Sequence, residues 1–218
     1  MMKTLVTVRT SAAGVMTAYM LLPLVSAFVI GRDPLEKYYS FTIDRGSRDG
    51  VAVNDVVISP EGAVGRVAAV SYNYAEVLTI LDPAVSMGCT ISRTREIGLA
   101  EGESLLAQDN RLKMSYLPRE TLAAASDLVV TTGLGGVFPS GLIVGTVEDV
   151  IPESSGKSMY AVVRPAADVR DITSVFIITN YDPDTAAKAA APAQTAEELP
   201  QDTQNGPQDA AAPADSEG

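Results

Sequence analysis

Histidine is absent from this 218-residue chain, and cysteine occurs once, at Cys89. The missing histidines remove the commonest general base, the commonest metal ligand and the middle member of Ser-His-Asp or Cys-His arrangements. Enzymes also work through paired carboxylates or a Ser-Lys pair, so the enzyme class is weakened without being closed. A single cysteine excludes an internal disulfide and any multi-cysteine metal site. Positive charge is scarce as well, with 16 Lys and Arg against 27 Asp and Glu and a formal net charge of -11. That balance argues against a nucleic-acid partner, because neutralising phosphates needs a surplus of Lys and Arg on the bound face. More than half of the negative charge is local. Beyond residue 183 the chain carries seven acidic residues against Lys188 alone, which leaves the part before it only mildly acidic.

What the chain does hold is a duplicated unit. Residues 127–150 read DLVVTTGLGGVFPSGLIVGTVEDV, and a shorter version, DVVISPEGAVGRVAAV, occupies 55–70. Both open on an Asp (Asp55, Asp127), run through apolar residues to Ser59 or Thr131, turn on glycine, and close as Val-Gly-x-Val-x-x-Val at 64–70 and 144–150. Two such strand-turn-strand units predict two small β-modules built alike. The hydrophobic share of 46% is enough to give each a core.

Residues 10–31 contain no charged side chain, and 11–30 have the length, about 20 residues, that crosses a hydrocarbon core of roughly 30 Å. Lys3 and Arg9 ahead of it favour a cytoplasmic N-terminus and an outward-facing remainder. A cleavable signal with small residues near 25–27 fits the same run, and so does a shorter apolar segment whose last part, 26–30, is the first β-strand. The segment 1–27 is accordingly assigned as an N-terminal hydrophobic helix, either anchor or signal. From 28 onward short β-branched runs alternate with turn residues and no ten-residue amphipathic helix intervenes, which predicts small all-β barrels or sandwiches. The expected division is a first β-domain over 28–103, a second over 104–182, and an acidic Ala/Pro-rich tail over 183–218. That tail lacks the large apolar residues that would offset the entropy of ordering, so it is expected to be disordered.

Candidate chemistry is thin. The glycines of 133–136 lack the Gly-Lys-Ser/Thr of a phosphate cradle and read as a turn or bulge. Asp55 and Asp127 are expected to accept backbone N–H bonds in their turns rather than to act as a catalytic pair. Ser140 has no evident base, and Cys89 reads as a small buried hydrophobe. No catalytic, cofactor-binding or metal-binding residue is assigned. Candidate partner contacts are Tyr72 and Tyr74 in one predicted turn, and Gly135, Gly136, Val137 and Phe138 in the 133–141 loop, since long loops on rigid barrels are where interfaces tend to lie. Tyr181 is a further turn aromatic. For each single aromatic, folding back over the end of its barrel is the favoured reading.

Several motifs in order along the chain, IGRDP at 30–34, FTIDRGSRDGV at 41–51, GRV at 65–67, LDP at 81–83, SYLP at 115–118, the long run 127–145 and RPAAD at 164–168, resemble the rod shape-determining protein MreC family of bacteria. The resemblance covers about residues 28–182. It implies two six-stranded β-barrels in tandem, held outside the cytoplasm by one N-terminal transmembrane span, in a non-enzymatic scaffold of cell elongation. Implied partners are the membrane, the elongation penicillin-binding transpeptidase, MreD, RodA, the MreB filament system and further copies of the same chain, with no cofactor. In the family a long heptad-bearing helix precedes the IGRDP motif, whereas here the apolar run abuts it and no heptads occur in 1–30. Two other classes compete: an exported hydrolase of chymotrypsin-like architecture, whose catalytic dyad cannot be built without histidine, and an exported two-barrel adaptor not tied to elongation.

Overall fold

Strand-forming residues in short runs, cut by Gly, Pro, Asn and Asp, fold as they read. A computed structural model describes residues 24–33, 35–154, 156–179 and 181. Its strands are β1 (Leu24–Arg32), β2 (Phe41–Ile43), β3 (Val56–Ile58), β4 (Ala63–Val70), β5 (Ala75–Thr79), β6 (Ser86–Ile91), β7 (Ile97–Gly102), β8 (Leu112–Leu117), β9 (Leu128–Thr131), β10 (Ile143–Pro152), β11 (Met159–Pro165) and β12 (Ser174–Ile178). A four-residue helix, α1 (Ser104–Ala107), lies between β7 and β8. The strands close into two six-membered barrels, ordered β1-β12-β3-β4-β5-β2 and β10-β11-β8-β7-β6-β9. Closure removes the unpaired edges that would otherwise invite aggregation.

Repeat and barrel are not the same unit. Strands β1–β5 of one barrel correspond in order and neighbours to β7–β11 of the other, and each set of five is followed by a sixth strand that crosses over. β6 completes the second barrel between β7 and β9, with Cys89 opposite Gly98 and Ile91 opposite Val129. β12 returns to complete the first barrel between β1 and β3, with Val175 opposite Ala27 and Ile177 opposite Val57. The two repeats exchange their last strands.

This corrects the division at 103/104. The strands at 86–102, expected in the first domain, belong to the second barrel, and the strand at 174–178, expected to close the second domain, closes the first. The physical reason is that a sixth strand with two equivalent vacancies is satisfied by either barrel, and linear order does not say which. The boundary at 27 also shifts, because 24–27 are the first residues of β1 and Ala27 lies in the core. The strand alternative for the end of the apolar run therefore holds for 24–30. The expected N-terminal helix over 1–23 and the tail over 183–218 lie outside the described residues, and no helix among the described residues is long and apolar enough to cross a membrane.

Buried residues alternate along β5, as Ala75, Val77 and Thr79, and along β6 and β7, and point into the small barrel interiors. Ile43, Val56, Val64, Val77 and Ile177 are fully or almost fully buried, as are Met87, Leu112, Met114, Val129, Val144 and Val163. The two interiors join in one continuous core. Gly65 on β4 and Gly145 on β10 hold equivalent places in the repeat where neighbouring strands approach closely. A Cβ there would stand 2.0 Å from the Leu78 carbonyl oxygen and 1.9 Å from that of Arg164. Each glycine precedes an interruption of register, between Val67 and Ala69 and between Val147 and Asp149, that tightens the barrel bend.

The connector that carries β12 home is held by Arg32. Its guanidinium donates to the carbonyls of Val169 at 2.9 Å and Ile172 at 2.7 Å and lies 5.1 Å from the centre of the Phe41 ring. Arg32 belongs to the 30–34 motif and its acceptors follow the 164–168 motif, so two short sequence signatures meet at the return crossing.

Candidate partner-binding surface

The duplicated turn can be compared atom by atom. The Asp55 carboxylate accepts from the Ala52 N–H at 2.7 Å, and Asp127 accepts from the Ala124 N–H at 2.8 Å, three residues back in each case. Asn54 and Ser126, which precede them, both sit at positive φ, +72° and +71°. Ser59 and Thr131 close the far ends, where their hydroxyls accept from the Gly62 and Leu142 N–H groups. The expectation that both aspartates serve the turn is met.

Their electrostatics differ. Arg93, on the β6–β7 hairpin, donates to both oxygens of Asp127 at 2.7 Å and to the Leu122 carbonyl at 2.6 Å. That guanidinium holds the Asp127 carboxyl below the usual carboxylate range. Among the described residues Asp55 has no such partner, and burial pushes its carboxyl up, offset in part by the Ala52 N–H. Arg93 was not singled out from the sequence. It reaches Asp127 only because β6 crosses into the second barrel, a placement that no local pattern signals.

The 133–141 loop folds against the junction of the barrels. Gly135 and Gly136 take φ of +96° and +74°, and with Val137 they face Val53, Asn54, Asp55 and Tyr181 across a cleft of about 280 Å³. Three of the proposed contacts, Gly135, Gly136 and Val137, are thereby brought together at an accessible place. Phe138 is not: it is only 4% exposed and packs in the core, beside Pro139, whose carbonyl accepts from the Thr131 hydroxyl. The apolar ring turns inward because the glycines before it let the chain reverse, which corrects its assignment as a contact. Tyr72 and Tyr74 are 72% and 41% exposed on the β4–β5 turn and take no part in lining the cleft. Exposed apolar side chains that the sequence reading passed over include Phe28 and Ile30, adjacent on the outer face of β1, and Tyr116 on β8.

A wider hollow of about 730 Å³ lies over the second barrel between α1 and β10. Glu148 bridges Arg111 and Arg164 there. Burial alone would raise the Glu148 carboxyl, and the two guanidiniums outweigh it and hold it low. Its charges are spent on one another. Cys89 is buried, and that burial pushes its thiol up to about 12, so it is neither a nucleophile nor a ready metal ligand at neutral pH. Among the described residues no cluster of three His, Cys, Asp or Glu side chains is arranged to hold a metal.

Two closed barrels joined by exchanged strands, with loops and outer faces exposed, define a double-barrel protein. The family model for the rod shape-determining protein MreC barrel core matches residues 29–179. The chain belongs to that family. The cell shape-determining protein MreC of Listeria monocytogenes is 31% identical over 157 residues, covering 71% of this chain and 52% of that protein. The chain spans about half the length of the curated relatives it matches. The crystal structure of MreC from Pseudomonas aeruginosa is 29% identical, with a TM-score of 0.66 over 71% of this chain and 98% of that one. A structure described as a complex between Penicillin-Binding Protein (PBP2) and MreC from Helicobacter pylori shares the fold, at 16% identity and a TM-score of 0.56 over 72% of this chain and 98% of that one.

Proposed function

We propose that this chain is a non-enzymatic scaffold of the bacterial cell-elongation machinery, which organises peptidoglycan synthesis and cell shape by presenting barrel surfaces to other proteins. The observation that carries the reading is family membership through the double-barrel core itself, residues 29–179, in which relatives named for determining cell shape match this chain. Filled barrel interiors favour it too, because a scaffold needs complementary surface and no substrate cavity. The Helicobacter complex supports a penicillin-binding transpeptidase as the first partner. In this reading the hydrophobic segment ahead of Leu24, where β1 begins, attaches the chain to the membrane, the barrels stand on the extracytoplasmic side, and MreD, RodA, the MreB filament system and further copies of the chain complete the assembly.

Depletion of the protein in its native bacterium, with cell shape and wall incorporation followed by microscopy, tests this. Rounded cells with disorganised incorporation are expected, together with co-purification of the elongation transpeptidase. Unchanged rods would instead assign the chain to an exported adaptor outside elongation. Turnover of peptidoglycan or peptide that disappears in Ser140→Ala would overturn the non-enzymatic reading.

A further inference from the structure

Asp55 and Asp127 hold the same place in the two repeats, yet among the described residues only Asp127 has a cation on it. Asp55 is 8% exposed, and among the described residues its carboxylate accepts one hydrogen bond, from the Ala52 N–H. Arg66, on the adjacent strand, is committed elsewhere, donating to the Asn54 side-chain oxygen at 2.9 Å and to the Ala84 carbonyl at 3.3 Å. The position in β12 that matches Arg93 by register is Thr179, since Ile91 opposite Val129 corresponds to Ile177 opposite Val57. A neutral side chain therefore stands where the other repeat places a guanidinium. Beside Asp55 the structure has an open cleft instead, lined by Val53, Asn54 and Asp55 together with Gly135, Gly136, Val137 and Tyr181. Its volume, about 280 Å³, falls just short of the range of small-molecule sites, roughly 300–1,000 Å³, and suits a single long side chain.

We propose that this inter-barrel cleft receives one arginine side chain presented by a partner protein, with Asp55 as its counter-ion. The Arg93–Asp127 pair is the template: an aspartate in this turn, with one oxygen already on a backbone N–H, still accepts a guanidinium through both oxygens at 2.7 Å. A planar guanidinium suits that fork better than an ammonium does. Burial of Asp55 without a cation raises the cost of its charge, and an entering cation removes that cost, so the free protein is prepared for binding. Gly135 and Gly136, both at positive φ, add no side chain to their part of the lining. The inference stands on the cleft and holds whichever protein presents the arginine, so it does not depend on the cell-elongation reading.

The test is amide NMR on the isotopically labelled full chain titrated with the capped tripeptide acetyl-Gly-Arg-Gly-amide. Saturable shifts confined to amides near 54, 55, 135 and 136 are expected, and the titration of the Asp55 carboxyl should move to lower pH when peptide is present. The same peptide with citrulline, which keeps the shape and loses the charge, should bind at least about tenfold more weakly, and so should the arginine peptide to Asp55→Asn. Shifts that are scattered, absent or equal for arginine and citrulline overturn the proposal even if Asp55→Asn folds poorly. If Lys188→Ala shifts the same amides in the free protein, the cleft is filled by this chain's own C-terminal segment, and the partner assignment fails.

Discussion

Arg93 grips both carboxylate oxygens of Asp127 at 2.7 Å, while Asp55, its counterpart in the other repeat, faces a cleft with no guanidinium on it. The two aspartates must therefore pull stability in opposite directions with pH. Asp127 has a folded value below the unfolded one, about 3.9, so its contribution is fully present above that value and is lost as pH falls through the folded value. Asp55 has a folded value above the unfolded one, so its ionised form costs stability at neutral pH and the cost is relieved as pH falls through the folded value. Thermal unfolding at pH 7 should show Asp127→Asn lowered by roughly 2–4 °C and Asp55→Asn unchanged or raised, Arg93 being exposed enough for solvent to weaken the pair. Below about pH 4 the gap between Asp127→Asn and the parent should narrow. Equal losses in both variants at pH 7 would show that the backbone bonds to Ala52 and Ala124 dominate.

Gly65 and Gly145 should be the least replaceable residues of β4 and β10. Alanine at either forces a carbonyl about 2 Å away to retreat, which parts two barrel strands, so a loss of about 3 kcal/mol or more is expected in urea unfolding. Gly135→Ala makes the control. Its Cβ meets open space and only the positive φ resists it, which limits the cost to about 1 kcal/mol. Comparable losses for all three would mean that strand contact is not what fixes glycine at 65 and 145.

Much of this architecture is legible in the sequence, and what is not has a common cause. Val-Gly-x-Val-x-x-Val written twice gives the two modules, and alternation gives most of the inward faces, because both are properties of neighbouring residues. The partner of β6 is not such a property. Cys89 and Ile91 present the same inward pattern whichever barrel receives them, and only the path after Asp82 decides, so the domain boundary was placed wrongly and Arg93 was missed with it. Phe138 shows the same limit at the scale of one loop. A phenylalanine between Val137 and Pro139 reads as exposed or buried with equal ease until the reversal at Gly135 and Gly136 is known. Tyr72 and Tyr74, for which folding back is the favoured reading of the sequence, instead stand exposed on the four-residue turn between β4 and β5.

Phe138→Ala should act as a core truncation, with a loss of about 3–5 kcal/mol, because the residue is 4% exposed and packs in the core. Tyr72→Ala removes a side chain 72% in solvent and should change unfolding by no more than about 0.5 kcal/mol. Paired with a pull-down of the elongation transpeptidase, the two variants separate packing from recognition. A stable Phe138→Ala protein would contradict the burial, and a stable Tyr72→Ala protein with undiminished capture would remove the β4–β5 turn from the candidate surface.

Strand exchange predicts which fragments fold. A cut at 103/104 leaves β6 and β7 with the wrong piece and strands β12 on the other, so neither 28–103 nor 104–182 contains a closed barrel. The segment 86–165 holds β6–β11 whole and should fold alone, whereas the chain ended after 165 should keep the second barrel and lose the first, whose β1 and β3 no longer have β12 between them. Cys89 reports the outcome. It points inward from β6 with its thiol pushed up to about 12 by burial, so it should resist a maleimide in the full chain and in 86–165 and react fast in 28–103. Protected Cys89 and dispersed amide signals from 28–103 would mean that β6 can close its own repeat, and the exchange would then be one of two accessible pairings rather than the fold's requirement.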